Sequence, residues 1–426
     1  MRKTFINITS LFISVVANRI FPILLLPVLA RALGPGQFGR YVMASAFSYL
    51  LAQIVEWGFN MSGVRQMALV FGDKVKLGEI VATVVAGRAL IVAALLVLCA
   101  AGSPWFTWVA PDASLYWASV FYGLLYAFDL RFAFYGIQDS RTFLILTFVQ
   151  YLLSFLFILA FVRGPDDASL AFVIPASFCI ISVLVSLILL RPLIIYSRPT
   201  LSRAVAGVRG SVQVFLARNV FQSSSQLGVL VLGLFVAPQI VGWFGVIERI
   251  TRTLGQLILY PLQMGLTPLV LQKSQNDQRR AVLIHLSGLA LAASAAVVVG
   301  IGLFIFAPRV LTLLLGSSPD DAVRALRLLC VYPLIFVFIH QGGIFWLYLL
   351  HWDRANFVIL TCYTLLFTLL LVLLAERWYL SGVVIGMLAA GIGLVLVYAV
   401  FFTYNGIMPL RRPLGIALSN RRQPLA

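Results

Sequence analysis

The sequence predicts an all-α, polytopic membrane protein of about twelve transmembrane helices, arranged as two pseudo-symmetric halves of six. The chain has 426 residues, of which 62% are hydrophobic and only 11% charged, and its mean hydropathy is +1.02. An ordinary globular domain is about half apolar and a quarter charged. The apolar residues come in runs of about 20, the length that crosses a bilayer core of ~30 Å. A soluble core could not bury this much apolar surface.

Twelve apolar segments follow one another with short connections. The first begins after Arg2 and Lys3 in the manner of a signal peptide, but its apolar stretch exceeds the 7–15 residues of such a leader. We therefore expect it to remain as the first span. The predicted spans are residues 8–30, 40–60, 80–101, 114–135, 143–162, 169–190, 212–235, 240–268, 282–306, 326–349, 356–375 and 381–404.

The basic residues are distributed unevenly between the two sides of these spans. With the N-terminus in the cytoplasm, 19 of the 31 Lys and Arg fall in inner segments, 7 in outer ones and 5 within spans. Lys and Arg concentrate in cytoplasmic loops of membrane proteins, so both termini are predicted to be cytoplasmic. The net charge of +17 then reflects loops that meet anionic lipid headgroups, and no nucleic acid partner is expected.

The twelve spans divide evenly around the basic connection at residues 191–210. We predict an N-terminal lobe of residues 1–196 and a C-terminal lobe of residues 197–426. Sliding the chain by 203 residues sets Pro35 on Pro238 and Gly39 on Gly242. Six spans per half would make the repeats parallel, as in many transporters. The match is weak, and a single bundle without a repeat remains an alternative.

The stretch LARALGPGQFGRY, residues 29–41, forms the predicted outer turn between the first two spans. Its glycines permit backbone angles closed to other residues, and its proline ends a helix. A tight turn at the membrane interface explains these residues without any further function.

The same stretch, followed by EWGF at residues 56–59, resembles the start of the Wzx-type polysaccharide flippases, which transport O-antigen or exopolysaccharide units and share a superfamily with multidrug and toxin extruders and the lipid II flippase. The residues that carry the resemblance are Arg31, Leu33, Gly34, Phe38, Gly39, Tyr41, Gly58 and Phe59. The resemblance implies two six-helix lobes like those of the multidrug extruders, which alternate access between leaflets of the bacterial inner membrane. It implies a polyprenyl-diphosphate-linked oligosaccharide as substrate, for cell-surface polysaccharide biosynthesis.

The resemblance also implies partners. The protein is expected to be a monomer in contact with membrane lipids, with a polysaccharide polymerase and a chain-length regulator as partner proteins. Neither a cofactor nor a metal ion is expected.

Polar residues within the spans support an anionic substrate. An arginine at mid-bilayer costs ~2.5–3.5 kcal/mol on insertion scales, so such residues usually face a cavity. Guanidinium groups bind phosphates bidentately and stay charged at any working pH. The predicted substrate-binding residues are Arg19, Arg218, Arg249, Arg252, Asn18, Gln53 and Gln222.

Several of these residues have simpler interpretations. Arg252 could pair with Glu248 four residues earlier, and Arg218 could extend to the interface. Arg88 is interpreted as a residue that extends to the inner interface. Glu56 and Glu248 are the predicted coupling groups, and the sequence does not choose between proton, sodium and no coupling.

Two other function classes agree less well with the sequence. A multidrug exporter of the same fold would favour acidic and aromatic residues for organic cations, whereas arginines exceed acids within the spans here. A membrane enzyme that uses polyprenyl-linked sugars would need catalytic residues on substantial outer loops. The outer loops are about 20 residues or fewer, and no GxSxG, HExxH or P-loop pattern occurs.

Overall fold

The computed structural model describes residues 2–106, 112–198, 200–276, 278–349 and 352–405, which are helical or irregular and contain no strand. The all-α prediction is confirmed. In the first part of the chain the helices are α1 (Arg2–Glu56), α2 (Phe59–Leu69), α3 (Lys74–Gly102), α4 (Ala113–Tyr126), α5 (Arg131–Gly136), α6 (Ser140–Phe161) and α7 (Leu170–Leu190). Short 3-10 helices occupy Ser103–Phe106 and Pro165–Ser169.

The second part of the chain continues with longer helices. These are α8 (Leu201–Phe235), α9 (Pro238–Asn276), α10 (Gln278–Leu315), α11 (Asp320–Leu329), α12 (Tyr332–Val337), α13 (Phe345–Leu349) and α14 (Asp353–Tyr404). A π-helical segment, Phe338–Ile344, joins α12 to α13.

Seven helical stretches of the described chain are long and apolar enough to cross a membrane. Two of them are more than twice the length of a span: Asn18–Leu69, which runs through α1 and α2, and Arg354–Tyr404, which lies within α14. One residue inside α1 and one inside α14 have non-helical backbone angles. These residues are Gly34 (φ 71°) and Tyr379 (φ 48°). Divided at these points, and with the shorter and the more polar helices included, the described helices overlap all twelve predicted segments, although the fourth segment is interrupted between α4 and α5.

The predicted turn at residues 31–40 is much tighter than the sequence suggested. Gly34 alone breaks the helix, and residues 35–56 continue as helix directly after it. A left-handed φ costs glycine little because it has no Cβ, so a single residue makes the turn that the sequence predicted over residues 31–40.

Carboxylates fix the starts of two helices. The Asp73 side chain accepts the backbone N–H groups of Val75 and Lys76, both at 3.1 Å, and Asp139 accepts that of Thr142 at 3.2 Å. Such caps satisfy donors that the first helical turn leaves unpaired. The hydrogen bond from the Lys76 backbone lowers the pKa of Asp73 below its usual value.

The described chain divides into two compact units. Unit 1 comprises Met1–Val246 with Leu313–Ser317, and unit 2 comprises Ile247–Thr312 with Ser318–Ala426. A core of unit 1 packs Phe59 and Met67 of α2 against Phe132 and Phe134 of α5. The sequence-based lobes, 1–196 and 197–426, stay a prediction.

The two stretches matched by the repeat cross each other within unit 1. A Cβ placed on Gly39 would lie 1.7 Å from the carbonyl oxygen of Pro238, and one on Gly242 would lie 3.3 Å from Gly39 Cα. The backbones of α1 and α9 therefore meet closely at the glycines that the alignment paired.

Candidate functional site

Asn18 and Arg19 lie on the first segment of α1, Asn18 exposed and Arg19 half-buried. The Asn18 side-chain oxygen accepts a short hydrogen bond from the Tyr151 hydroxyl of α6. Tyr151 in turn shares a hydrogen bond of 3.1 Å with the hydroxyl of Tyr126 on α4. The Phe21 ring stacks on Tyr151 with centroids 6.0 Å apart. Sequence reasoning missed both tyrosines, although their polar tips within predicted spans were a readable signal.

A buried ion pair lies beside these tyrosines. Arg131 donates through Nε to Asp129 Oδ2 at 2.6 Å and through Nη1 to Thr147 Oγ1 at 3.1 Å. The Arg131 side chain is 4% exposed and that of Asp129 25%. The pair of opposite charges cancels, so Arg131 supplies no net charge for an anionic ligand.

The interpretation of Arg88 as an interfacial residue is wrong. The residue is 0% exposed, with Nη1 donating to the Asp129 carbonyl at 2.8 Å and Nη2 to Asn60 Oδ1 at 2.6 Å. Its guanidinium carbon lies 5.3 Å from the centroid of the Phe132 ring. The side chain turns inward because two acceptors and an aromatic face converge there. A hydropathy profile contains no information about contacts between distant segments, so it could not predict this buried position.

Glu56 ends the second segment of α1 and caps the next helix. Its carboxylate accepts the backbone N–H of Gly58 at 3.1 Å and of Asn60 at 3.0 Å. Between the helices, Trp57 (φ 45°) and Gly58 (φ 74°) both adopt left-handed backbone angles. The EWGF stretch is thus a sharp break between α1 and α2. Its first residue, Glu56, accepts backbone N–H groups at the start of α2.

Trp57 connects this break to α8. Its indole N–H donates to the Val208 carbonyl at 3.0 Å, and its ring stacks on Phe215 with centroids 4.1 Å apart at 14°. Three residues before Glu56, Gln53 is 7% exposed, and its Oε1 accepts a hydrogen bond from the Ser223 hydroxyl of α8 at 2.8 Å. The second and seventh predicted spans are therefore joined by polar contacts in unit 1.

In unit 2, Glu248 and Arg252 form the ion pair that their spacing suggested, a close contact along α9. The Glu248 side chain is 8% exposed and that of Arg252 21%. Arg252 also interacts with Tyr332, His340 and Tyr363. It is thus the centre of a buried polar cluster, with one carboxylate to balance its charge.

Arg249 differs from its neighbour. It is half-buried on α9, and among the described side chains it forms no hydrogen bond or ion pair. A guanidinium without a carboxylate partner in a predicted span retains its full charge and donor capacity for an anionic ligand.

A second polar chain in unit 2 was not anticipated. Gln341, 1% exposed, accepts from Gln263 Nε2 at 3.4 Å and lies 3.4 Å from His285 Nδ1. Gln341 belongs to the π-helical segment, a geometry that often marks functional sites. The π-helical turn depends on packing between helices, and the sequence alone does not predict that packing.

Two predicted residues, Arg218 and Gln222, have side chains that lie outside the described residues. Among the described residues, no group of three or more His, Cys, Asp or Glu could hold a metal ion.

Comparison with protein families identifies the chain. The model of a family described as polysaccharide biosynthesis protein matches residues 5–274, more than half of the sequence. The chain belongs to this polysaccharide biosynthesis protein family. A protein of Escherichia coli K12 named "Putative O-antigen transporter" is 22% identical over 339 residues, which cover 77% of this chain and 79% of that relative. A protein of Shigella dysenteriae with the same name is 22% identical over 333 residues, 77% of this chain and 82% of the relative.

Solved structures give the fold of this family member. A multidrug resistance MATE family transporter of the MOP superfamily in an inward-facing conformation has a TM-score of 0.71 at 14% identity, covering 93% of this chain and 95% of that one. The lipid II flippase MurJ in an inward closed conformation has a TM-score of 0.72 at 14% identity, covering 94% and 87%. The predicted class, a multi-pass helical membrane protein of the MATE type, is confirmed.

Proposed function

We propose that this protein is a flippase that moves a polyprenyl-diphosphate-linked oligosaccharide from the cytoplasmic to the outer leaflet of a bacterial inner membrane by alternating access. Membership of the polysaccharide biosynthesis family and the likeness to O-antigen transporters support the substrate class. The observation that carries the proposal is Arg249, a half-buried cation in a predicted span with no carboxylate partner among the described side chains.

Arg19, Arg249 and Arg252 are the proposed contacts of the diphosphate, together with Arg218 of α8. A guanidinium donates two parallel hydrogen bonds to a phosphate and needs no change of protonation to do so. Asn18, Gln53 and Gln222 supply neutral hydrogen-bonding groups suited to the sugar hydroxyls. The lipid tail stays in the bilayer, because moving it from an apolar environment into a polar protein interior is unfavourable in free energy.

Glu248 and Glu56 are the proposed coupling groups, and their surroundings differ. Glu248 is balanced by Arg252 alone among the described cations within salt-bridge distance, so its protonation would release that arginine. Glu56 is held by two backbone N–H groups, and a change in its charge would loosen the start of α2.

The deciding experiment measures the leaflet position of the lipid-linked glycan in cells depleted of this protein. Spheroplasts are probed with a membrane-impermeant glycosidase, and total lipid-linked glycan is quantified after solubilisation. We expect the glycan to accumulate in a protected form, and wild-type protein to restore its exposure. If the glycan reaches the outer face normally in depleted cells, the flippase proposal is wrong, and export of organic cations becomes the function to assay.

The cationic contacts are tested in the same cells with Arg249→Gln and Arg19→Gln. Losing a hydrogen bond to a charged group costs about 1.5–3 kcal/mol, or roughly 10–100-fold in binding. We expect exposure of the glycan to fall by at least about tenfold for each variant. Arg324→Gln, at an exposed site on α11, is the matched control and should leave exposure unchanged.

A further inference from the structure

A polar cavity of about 300 Å³ lies in unit 1, beside the break at Gly34. Three elements form it: the second segment of α1, the start of α4 and the 3-10 helix Pro165–Ser169. We call it the outer pocket, because the distribution of basic residues predicts that all three elements lie on the outer side of the membrane. Its polar lining consists of Gln37, Arg40, Asp112, Ser114, Asp166 and Ser169.

The helix geometry of the GPGQFGRY stretch separates packing residues from lining residues. Phe38 is 2% exposed, and Gly39 lies against the Pro238 carbonyl. Gln37 and Arg40, three residues apart, share another face and line the pocket, where Arg40 Nη1 donates to Gln37 Oε1 at 3.3 Å. A tight turn accounts for the glycines of this stretch, but it does not account for these two polar side chains.

The 3-10 helix is held in place by a residue that does not line the pocket. Asp167 accepts the backbone N–H groups of Arg163 at 2.9 Å and Gly164 at 3.0 Å. Its neighbour Asp166 lines the cavity and, like Asp112, forms no side-chain hydrogen bond or ion pair with any described residue. The pocket lining therefore contains one guanidinium and two carboxylates, and neither carboxylate has a described hydrogen-bond partner.

We propose that the outer pocket binds one neutral sugar ring of the glycan after it has crossed the membrane. The inference rests on the proposed function and on the predicted orientation. Small-molecule pockets span roughly 300–1,000 Å³, so this cavity fits a single ring better than a chain. Each sugar hydroxyl both donates and accepts, as do the hydroxyls of serine. Asp112 and Asp166 accept, Arg40 donates, and Gln37 and the serines do both.

Other ligand classes fit the lining less well. A phosphate would meet two carboxylates, whose like charge disfavours it, and a metal cation would meet the Arg40 guanidinium. A drug-like apolar molecule would leave at least six polar side chains desolvated without partners. A neutral polyhydroxylated ring satisfies donors and acceptors at once.

The test uses purified protein in nanodiscs and a cysteine reporter. Cys362 is the one exposed cysteine among the four described, so the background is Cys362→Ser. Ser114→Cys reports on the pocket, and Ala113→Cys, exposed at the adjacent position outside the lining, is the matched control. The rate of labelling by a polar maleimide is measured with free N-acetylglucosamine, glucose, galactose, mannose or rhamnose.

We expect at least one sugar to slow labelling at position 114 by about threefold, the factor that mass action gives at a concentration of about twice Kd. Labelling at position 113 should be unchanged, and adding Asp112→Asn with Asp166→Asn should abolish the protection. The matched change Asp320→Asn, at the start of α11 in unit 2, should preserve it.

Ligand-observed saturation-transfer NMR on the unmodified chain provides a second readout that does not depend on the cysteine. If no sugar protects position 114 and none shows transfer, the proposal is overturned. Protection by calcium or inorganic phosphate instead of sugar would equally overturn it. These measurements need neither transport nor lipid-linked glycan, so their failure leaves the flippase proposal standing. Failure of the leaflet assay alone leaves sugar binding in the outer pocket standing but overturns its role in receiving the transported glycan.

Discussion

At the scale of single residues, the buried arginines have local hydrogen-bond or ion-pair partners. Arg88 and Arg131 converge on Asp129, through its carbonyl and its carboxylate respectively, and Arg252 is balanced by Glu248. Removing one partner of a buried ion pair costs far more stability than removing one partner of an exposed pair, because the remaining buried charge keeps its desolvation penalty. Arg249, which has no such match among described side chains, is the exception that suggests function.

Replacing Arg88 by Gln tests its structural role. The variant leaves the Asp129 carbonyl and Asn60 Oδ1 without their donor, so we expect a loss in stability of about 1–3 kcal/mol for each unsatisfied acceptor. Thermal unfolding of the purified protein in detergent measures it. Arg324→Gln, at an exposed position, should change the midpoint little. Equal midpoints for the two variants would show that Arg88 is not held as described.

At the scale of helices, close approach and capping decide where elements end and cross. The backbone of α1 meets that of α9 at Gly39, and EWGF turns the chain between α1 and α2 through two left-handed residues. Each of these features depends on only one or two residues, so it can be tested by a single substitution.

Gly39→Ala is expected to destabilise unit 1. Its Cβ would overlap the Pro238 carbonyl, and overpacking of this kind typically costs about 1–3 kcal/mol. Gly36→Ala is the control, since nothing lies within 4 Å of a Cβ there. Size-exclusion yield and unfolding midpoint should fall for the first variant only. A stable Gly39→Ala protein would mean that the two helices separate at little cost.

Asp73→Ala removes the cap of α3. Because the folded-state pKa of Asp73 is lowered, its contribution is present above the unfolded value of about 3.9 and is lost as pH falls through the folded value. We expect the variant to unfold at a lower temperature at neutral pH, with the difference from wild type shrinking under acid conditions. Asp320→Ala should show no such convergence. A constant difference at all pH values would assign the effect to something other than the carboxylate.

At the scale of the whole molecule, charge distribution sets the orientation. The predicted inner segments carry 19 of the Lys and Arg and the outer ones 7, which by the positive-inside rule predicts that both termini are cytoplasmic. The outer pocket and the direction of transport both depend on this orientation.

Reporter fusions test the orientation directly. Green fluorescent protein at the C-terminus should be fluorescent, and alkaline phosphatase fused after truncation within residues 165–169 should be active, because it requires the outer compartment. A matched phosphatase fusion at residues 191–198, on the predicted inner side, should be inactive. The reverse pattern at both sites would invert the topology and remove the basis of the outer pocket.

The sequence by itself determined the all-α membrane class and the family resemblance, and it predicted the number and order of the spans and their division into halves. Each of these is a local property, since hydropathy and charge add along the chain over windows of about 20 residues. The resemblance at GPGQFGRY and EWGF is likewise carried by short contiguous stretches. Spacing along one helix even gave the pairing of Glu248 with Arg252.

Only the tertiary structure decided which polar groups meet across helices. It turned Arg88 inward to Asn60 and Asp129, joined Asn18 to Tyr151 and Gln53 to Ser223, and left Gln37 and Arg40 lining a pocket. The direction of a side chain relative to another helix depends on crossing angle and rotation about the helix axis. Those are set by the packing of distant segments, through contacts that no window of sequence contains.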